Sequence, residues 1–237
     1  MSESSVAELA HLFEVMAALR APDGCPWDRQ QTHRSLLPYL LEETYELIEA
    51  VEGGDDAEVA EELGDLLVEV AMHTAIAADR GAFGLTEVAT GATQKMVARH
   101  PHVFADTRVA SQEQLLANWD RAKRHEKPAR TSALDGIPRA LPALALAASV
   151  QRRAARGAAA DNLDPDPGSR VRTRLEQLEI GDEGGPAAEA LIGELLFSAV
   201  RLAALRGVDP EGALRQFTRR WTAEYRRQEA AAASGSR

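Results

Sequence analysis

Four acidic residues in the first third of the chain have the spacing of a metal site. Glu43 and Glu46 are three residues apart, fifteen residues follow, and Glu62 and Asp65 are again three apart. Residues three apart lie on the same face of an α-helix. If two helices fold back on each other through the turn at residues 53–55, the four carboxylates converge and repel one another. The pattern therefore predicts a compensating cation, and an all-oxygen donor set suits Mg²⁺ or Mn²⁺.

Two amphipathic helices must hold these carboxylates. Apolar side chains recur at helical spacing on both sides of the turn, with the acids on the opposite faces. Before the turn these are Leu37, Leu40, Leu41, Tyr45, Leu47, Ile48 and Val51, and after it Val59, Leu63, Leu66, Leu67, Val70 and Ile76. The sequence thus predicts an acidic helical hairpin over residues 40–70.

Composition favours an all-α fold. Hydrophobic residues make up 45% of the 237 residues but aromatic residues only 5%, so that the apolar content is mostly Ala, Leu and Val. Ala and Leu favour helices, and long runs of strand-forming residues are absent. Further helices are expected on both sides of the hairpin. Trp27, in a short loop before it, is expected to be a packing residue.

Charge and targeting signals exclude several classes of protein. The formal net charge is −10, which argues against binding to nucleic acid. Cys25 is the lone cysteine, so it cannot form an internal disulfide. No apolar run approaches the length of a membrane span, and the first residues lack the pattern of a signal peptide. We expect a cytoplasmic protein with neither a nucleic-acid nor a membrane partner.

The second half of the chain contains a weak repeat of the hairpin. The run at residues 62–67 (ELGDLL) recurs at residues 191–196 as LIGELL, and the helix end Arg80-Gly81 recurs as Arg206-Gly207. Leu191 stands where Glu62 stands, and a leucine cannot bind a metal. The expected organisation is a catalytic domain (1–130), a connector helix with a flexible linker (131–170), a degenerate second copy (171–229) and a disordered tail (230–237).

Several further motifs accompany the acidic spacing. They are EETYEL at residues 42–47, CPWD-x-x-QTH at 25–33, RHPHVF at 99–104, NWD-x-x-K at 118–123 and LDGIPRALPAL at 134–144. Together, and in this order, they resemble the MazG family of nucleoside triphosphate pyrophosphohydrolases. The resemblance is dense from about residue 19 to residue 146 and thin after that.

The resemblance implies an all-α fold of tandem helical bundles that form homodimers. It also implies Mg²⁺-dependent hydrolysis of a nucleoside triphosphate (NTP or dNTP) to the monophosphate and pyrophosphate. Carried onto this chain, it makes Glu43, Glu46, Glu62 and Asp65 the metal ligands. The triphosphate contacts would be Lys95, Arg99 and Lys123, with Trp119 against the base or ribose.

Hydrolysis of a triphosphate requires a positioned water and neutralisation of charge on the phosphate oxygens. Glu42 and Glu61, which flank the metal-binding pairs, are candidates for the general base, although a solvated helix face also explains them. Other functions stay open within the superfamily, namely a dedicated dUTP or dCTP hydrolase or a phosphoribosyl-ATP pyrophosphohydrolase. Outside it, a non-enzymatic helical scaffold would predict no turnover with Mg²⁺.

A di-iron carboxylate bundle is the main alternative chemistry. It requires a Glu-x-x-His motif on each of two helices. The chain has one such motif, Glu8-x-x-His11, and it lies outside the hairpin. The sequence therefore disfavours a di-iron site.

Overall fold

A computed structural model describes residues 2–105, 111, 114–115, 118–119, 126, 129–157, 160–180 and 184–235. Throughout these residues the regular structure is helical and contains no strand, which confirms the predicted all-α fold. The chain divides into two compact units, residues 1–123 and 124–237. Among the described helices, none combines the length and apolar character needed to cross a membrane.

Six helices can be delimited among the described residues of the first unit. They are α1 (Glu3–Arg20), α2 (Pro26–Gln30), α3 (Leu37–Gly53), α4 (Asp56–Asp79), α5 (Leu85–Arg99) and α6 (Pro101–Phe104). Helix α4 is the centre of the unit, because α1, α3 and α5 all pack against it. Its buried residues join those of α1 and of the segment before α3 in one core, formed by Met16, Leu36, Ala71, Met72 and Ile76.

The predicted hairpin is formed by α3 and α4, and the residues of its turn explain the reversal. Gly54 has φ 78°, in the left-handed region that favours glycine, and its N–H donates to the carbonyl of Ala50. The carboxylate of Asp55 then accepts a hydrogen bond of 2.8 Å from the N–H of Ala57 and caps α4. The chain therefore reverses directly, and the acidic faces of the two helices are brought side by side.

The loop that carries α2 is fixed to the end of α1. The N–H of Cys25 donates to the carbonyl of Leu19 at 2.8 Å, and a Cβ at Gly24 would lie only 2.4 Å from that oxygen. Arg20 pairs with Asp79 at 2.8 Å and donates to the carbonyls of Asp28 and Gln31. One buried guanidinium thus joins α1, the α2 loop and the end of α4.

In the part of the second unit that the structure describes there are four α-helices and a 3₁₀ turn at Ala160–Asn162. The helices are α7 (Ala143–Ala154), α8 (Pro167–Ile180), α9 (Pro186–Leu205) and α10 (Pro210–Gly235). Helix α9 packs against the other three. Helix α10 continues to Gly235, whereas the sequence predicted a disordered tail from Ala230, because the Ala-rich end extends the helix.

The ends of α4 and α9 have the same geometry. Each helix is followed by Arg-Gly with the glycine at positive φ, 63° at Gly81 and 67° at Gly207. In each case the next N–H, of Ala82 or Val208, returns 3.0 Å to a carbonyl in the last turn of the helix. This supports the proposal, drawn from the sequence repeat, that the second unit is a diverged copy of the first.

Candidate active site

The hairpin brings three of the four predicted metal ligands together. Carboxylate oxygens of Glu43 on α3 and of Glu62 and Asp65 on α4 all lie within 4.8 Å of one another. Glu43 and Glu62 are half-buried, whereas Asp65 is exposed. We call these three residues the acidic cluster.

Glu46 lies outside that 4.8 Å group, on the exposed side of α3 one turn beyond Glu43. Its charge nevertheless acts on the acidic cluster. After burial, the carboxylate of Glu46 is the strongest influence that raises the pKa of Glu43, and the same order holds for the pKa of Glu62. Glu46 is therefore electrostatically part of the site, and its direct binding to a metal stays a prediction.

The acidic cluster has the properties of a cation site. Oxygen Oε2 of Glu62 is buried and has no hydrogen-bond partner within the described part of the chain. The pKa values of Glu43 and Glu62 are raised, first by burial and then by the neighbouring acids. A divalent cation with oxygen ligands would bind the orphaned oxygen and remove the repulsion. The residues present therefore fit Mg²⁺ or Mn²⁺.

The candidate general bases flank the acidic cluster without joining it. Glu42 and Glu61 are both exposed. The charge of Glu42 raises the pKa of Glu43, and the charge of Glu61 raises the pKa of Glu62. Each acid is thus close enough to influence the cluster, and its role as a base stays a prediction.

Two of the four predicted substrate contacts lie against each other. The guanidinium carbon of Arg99, at the end of α5, is 5.9 Å from the centre of the Trp119 ring. This distance is typical of a cation–π contact. Lys95 is exposed one turn earlier on α5, and Lys123 lies outside the described residues. The roles of all four toward a triphosphate stay predictions.

A cavity of about 220 Å³ adjoins the acidic cluster, and Glu43 lines it. Its apolar walls come from α1, α4 and the start of α3, while Trp27 and Tyr39 meet edge to face at 6.0 Å. Trp27, which the sequence predicts to be a packing residue, packs against Tyr39 but lies outside the buried core, because the residue is 52% exposed. Helix α2 has five residues and lies at the surface, so that its Trp forms a wall of the cavity.

Two buried acids line this cavity, and the spacing of the metal-site motif does not include them. Asp28 is 9% exposed and Glu69 is 8% exposed, and burial raises the pKa of Glu69. A signal existed for Glu69, because it follows Glu62 by seven residues and Asp65 by four and so shares their helix face. No spacing rule could reveal Asp28, because it lies on another element.

A histidine pair fixes the segment after α2 to α4. Nδ1 of His33 and Nδ1 of His73 are 2.7 Å apart, and the two ring planes are inclined by only 9°. One Nδ1 must donate and the other accept, so at least one imidazole is neutral. Burial and the neighbouring His33 both lower the pKa of His73, in agreement with a neutral ring. The pair therefore fixes the segment between α2 and α3 to helix α4.

Sequence comparisons point to the same region of the chain. The profile of the MazG nucleotide pyrophosphohydrolase domain matches residues 31–104, which contain the whole acidic hairpin. A relative from Thermotoga maritima, named nucleoside triphosphate pyrophosphohydrolase/pyrophosphatase MazG, is 41% identical over 92% of this chain and 84% of its own length. The nucleoside triphosphate pyrophosphohydrolase of Escherichia coli K12 is 35% identical over 92% of this chain and 86% of its own.

A solved structure shows a more limited similarity. The crystal structure of a mazG-related protein from Thermotoga maritima is 28% identical in sequence, covers 48% of this chain and 98% of its own, and superimposes with a TM-score of 0.42. Identity to the two full-length relatives extends through both units of this chain. The chain therefore belongs to the MazG family of nucleotide pyrophosphohydrolases.

Proposed function

We propose that this protein is an Mg²⁺-dependent nucleoside triphosphate pyrophosphohydrolase. It converts an NTP or dNTP and water to the monophosphate and pyrophosphate. The observation that carries the proposal is the convergence of Glu43, Glu62 and Asp65, with a buried oxygen of Glu62 that lacks a partner. The names of the relatives from Thermotoga maritima and Escherichia coli support the same activity.

In this proposal, different residues of the chain bind the metal and the substrate. Glu43, Glu46, Glu62 and Asp65 would hold Mg²⁺, which when bound neutralises charge on the phosphate oxygens and orients water. Arg99 and Lys95 on α5, with Lys123, would bind the remaining phosphate charge. A carboxylate beside the cluster, Glu42 or Glu61, would accept the proton of the attacking water.

One bond of the triphosphate is broken in this reaction. Water adds its oxygen to phosphorus, and the bridge between the α- and β-phosphates is cleaved. Attack at the α-phosphorus leaves the water oxygen in the monophosphate, whereas attack at the β-phosphorus leaves it in pyrophosphate. Hydrolysis in ¹⁸O-labelled water distinguishes the two routes by mass spectrometry of the products.

The decisive experiment is a panel of NTPs and dNTPs with Mg²⁺, in which monophosphate and pyrophosphate are measured together. Equal amounts of the two products support the proposal. Orthophosphate as the product would identify a different cleavage, and no product from any nucleotide would favour a scaffold. Strict selectivity for dUTP, dCTP or phosphoribosyl-ATP would identify a dedicated hydrolase of the same superfamily.

Mg²⁺ should stabilise the folded protein more strongly at neutral than at acidic pH. The pKa values of Glu43 and Glu62 are raised by folding, so their contribution to stability is present below the unfolded pKa and is lost as pH rises through the folded pKa. A cation binds the ionised carboxylates and restores that loss. Thermal melts with and without millimolar Mg²⁺ should show a shift of a few degrees at pH 7.5 and a smaller shift at pH 5. An equal shift at both pH values would contradict this site.

We also propose a homodimer. The outer faces of α3 and α4 expose a stripe of large apolar side chains, each 42–58% accessible: Leu37, Leu41, Leu63, Leu67 and Val70. Contiguous exposed apolar surface of this kind marks an interface, and a second copy with the same stripe would cover it. Sedimentation should give about twice the 25.6 kDa mass of one chain. A monomer at micromolar concentration would contradict the proposal.

A further inference from the structure

The cavity beside the acidic cluster is placed to receive the part of the substrate that the metal does not hold. Glu43 belongs to the cluster and also lines the cavity. A triphosphate bound at the cluster therefore has its nucleoside within reach of the cavity. This inference rests on the proposed function and concerns which base the site accepts.

The cavity has the shape and surface of a site for a small aromatic ring system. Its volume of about 220 Å³ is below the range typical of larger ligand pockets, roughly 300–1,000 Å³. Met16, Leu36 and Met72 supply apolar contact, and the half-exposed Trp27 adds an aromatic side chain to the cavity wall. A planar base fits such a lining, because stacking and apolar contact need no fixed polar pattern.

Two buried carboxyl groups supply the polar pattern. Glu69 is 8% exposed, and its Oε2 lies 3.9 Å from Nε2 of His73, too far for a hydrogen bond; within the described part of the chain neither atom has a hydrogen-bond partner. Asp28 is 9% exposed, and its backbone carbonyl is held in place by Arg20. Buried polar groups are almost always hydrogen-bonded, so an orphaned carboxyl oxygen on a cavity wall indicates a ligand that donates.

We propose that this cavity binds the nucleobase and that Glu69, with Asp28, selects bases that present an amino group over bases that present a carbonyl there. An ionised carboxylate only accepts hydrogen bonds. Cytosine and adenine carry exocyclic amino donors, whereas thymine carries a carbonyl acceptor at ring position 4, as uracil does. A carbonyl facing the carboxyl oxygen leaves two buried acceptors unpaired, which is more costly than the loss of one hydrogen bond.

CTP and UTP are the matched pair that tests this, because they share the sugar and triphosphate and differ at ring position 4. We expect kcat/KM for pyrophosphate release to favour CTP by at least about tenfold. Glu69→Gln should bring the ratio close to one, mainly through a gain with UTP, because an amide both donates and accepts. Glu14→Gln is the control: it removes the same charge from an α1 side chain that is 78% exposed and lies outside the cavity lining. It should keep the wild-type ratio.

Each other result overturns the inference. If the wild-type protein hydrolyses CTP and UTP equally, or prefers UTP, the cavity does not select bases that present an amino group. A ratio that Glu69→Gln leaves unchanged, with circular dichroism and Tm like the wild type, removes Glu69 from base selection. Neither result contradicts the proposed hydrolysis of nucleoside triphosphates to monophosphate and pyrophosphate.

If no nucleotide yields pyrophosphate, the proposed function fails separately. Calorimetric titration with CMP and UMP then decides on the cavity. Tighter binding of CMP, abolished by Glu69→Gln, retains the base site, and equal or undetectable binding overturns it.

Discussion

Replacing Glu62 with alanine should abolish pyrophosphate release while the protein stays folded. Glu62 contributes to the acidic cluster from the first third of α4, and its buried Oε2 has no hydrogen-bond partner among the described residues. Without it the cluster retains two of its three converging carboxylates. Because metal stabilisation of phosphate charge contributes several kcal/mol to such a reaction, we expect a loss of roughly a thousandfold in turnover.

The same substitution separates a catalytic from a structural role. Burial and neighbouring acids raise the pKa of Glu62, so its ionised form opposes folding at neutral pH when no cation is bound. Glu62→Ala should therefore leave the metal-free Tm unchanged or higher, and the shift caused by Mg²⁺ should disappear. A lower metal-free Tm with lost turnover would instead indicate that Glu62 supports the fold.

The second unit offers a matched control. Glu176 and Glu179 form a Glu-x-x-Glu pair ahead of the repeated run at residues 191–196, and Glu176 is exposed on α8. Glu176→Ala removes the same group from the corresponding hairpin and should leave turnover near wild type. A large loss would place the active site in the second unit, and retained turnover in Glu62→Ala would remove Glu62 from the site.

Replacing Arg20 with methionine should destabilise the first unit and weaken catalysis. The side chain is 7% exposed, pairs with Asp79 and donates to the carbonyls of Asp28 and Gln31. Methionine fills similar volume but donates nothing, so that both carbonyls and one carboxylate lose a charged donor. Because Asp79 is half-exposed and can be solvated, we expect a cost of about 2–3 kcal/mol rather than that of a buried pair. Thermal melting should show a decrease in Tm on the order of 10 °C.

The functional effect of this change should be separable from the stability effect. Arg20 fixes the loop that places Trp27 and Asp28 on the cavity wall, so kcat/KM should fall even well below the Tm of the variant. Arg29→Met is the control, because Arg29 lies in the same loop, is exposed and donates only to the carbonyl of Pro22 in the described structure. Equal effects of the two substitutions would contradict a special role for Arg20.

The convergence of the acidic cluster could be predicted from the sequence because the geometry of these residues is local. Three-residue spacing fixes the face of a helix, and Gly54 with Asp55 fixes the reversal between α3 and α4. Few contacts between residues distant in sequence are therefore needed to bring Glu43, Glu62 and Asp65 together. The all-α fold follows similarly from Ala- and Leu-rich composition and from amphipathic spacing.

The cavity could not be predicted, because its walls come from elements whose packing no spacing rule describes. Asp28 reaches it from α2, and that helix is held by a guanidinium at the end of α1 and by the pairing of His33 with His73. Trp27 shows the difference most clearly. A Trp is usually buried in a core, but α2 lies at the surface, and Trp27 is therefore 52% exposed.

Sequence alone thus determined where the residues of the acidic cluster lie, since helical periodicity acts within one hairpin. The tertiary structure decided which residues line the cavity beside the acidic cluster. Glu69 has the ordinary spacing of an acid on the solvated face of α4, yet it is buried beside residues of α1, α2 and α3 that line the same cavity. Burial depends on the sum of contacts from distant segments, and the identity of one residue cannot encode it.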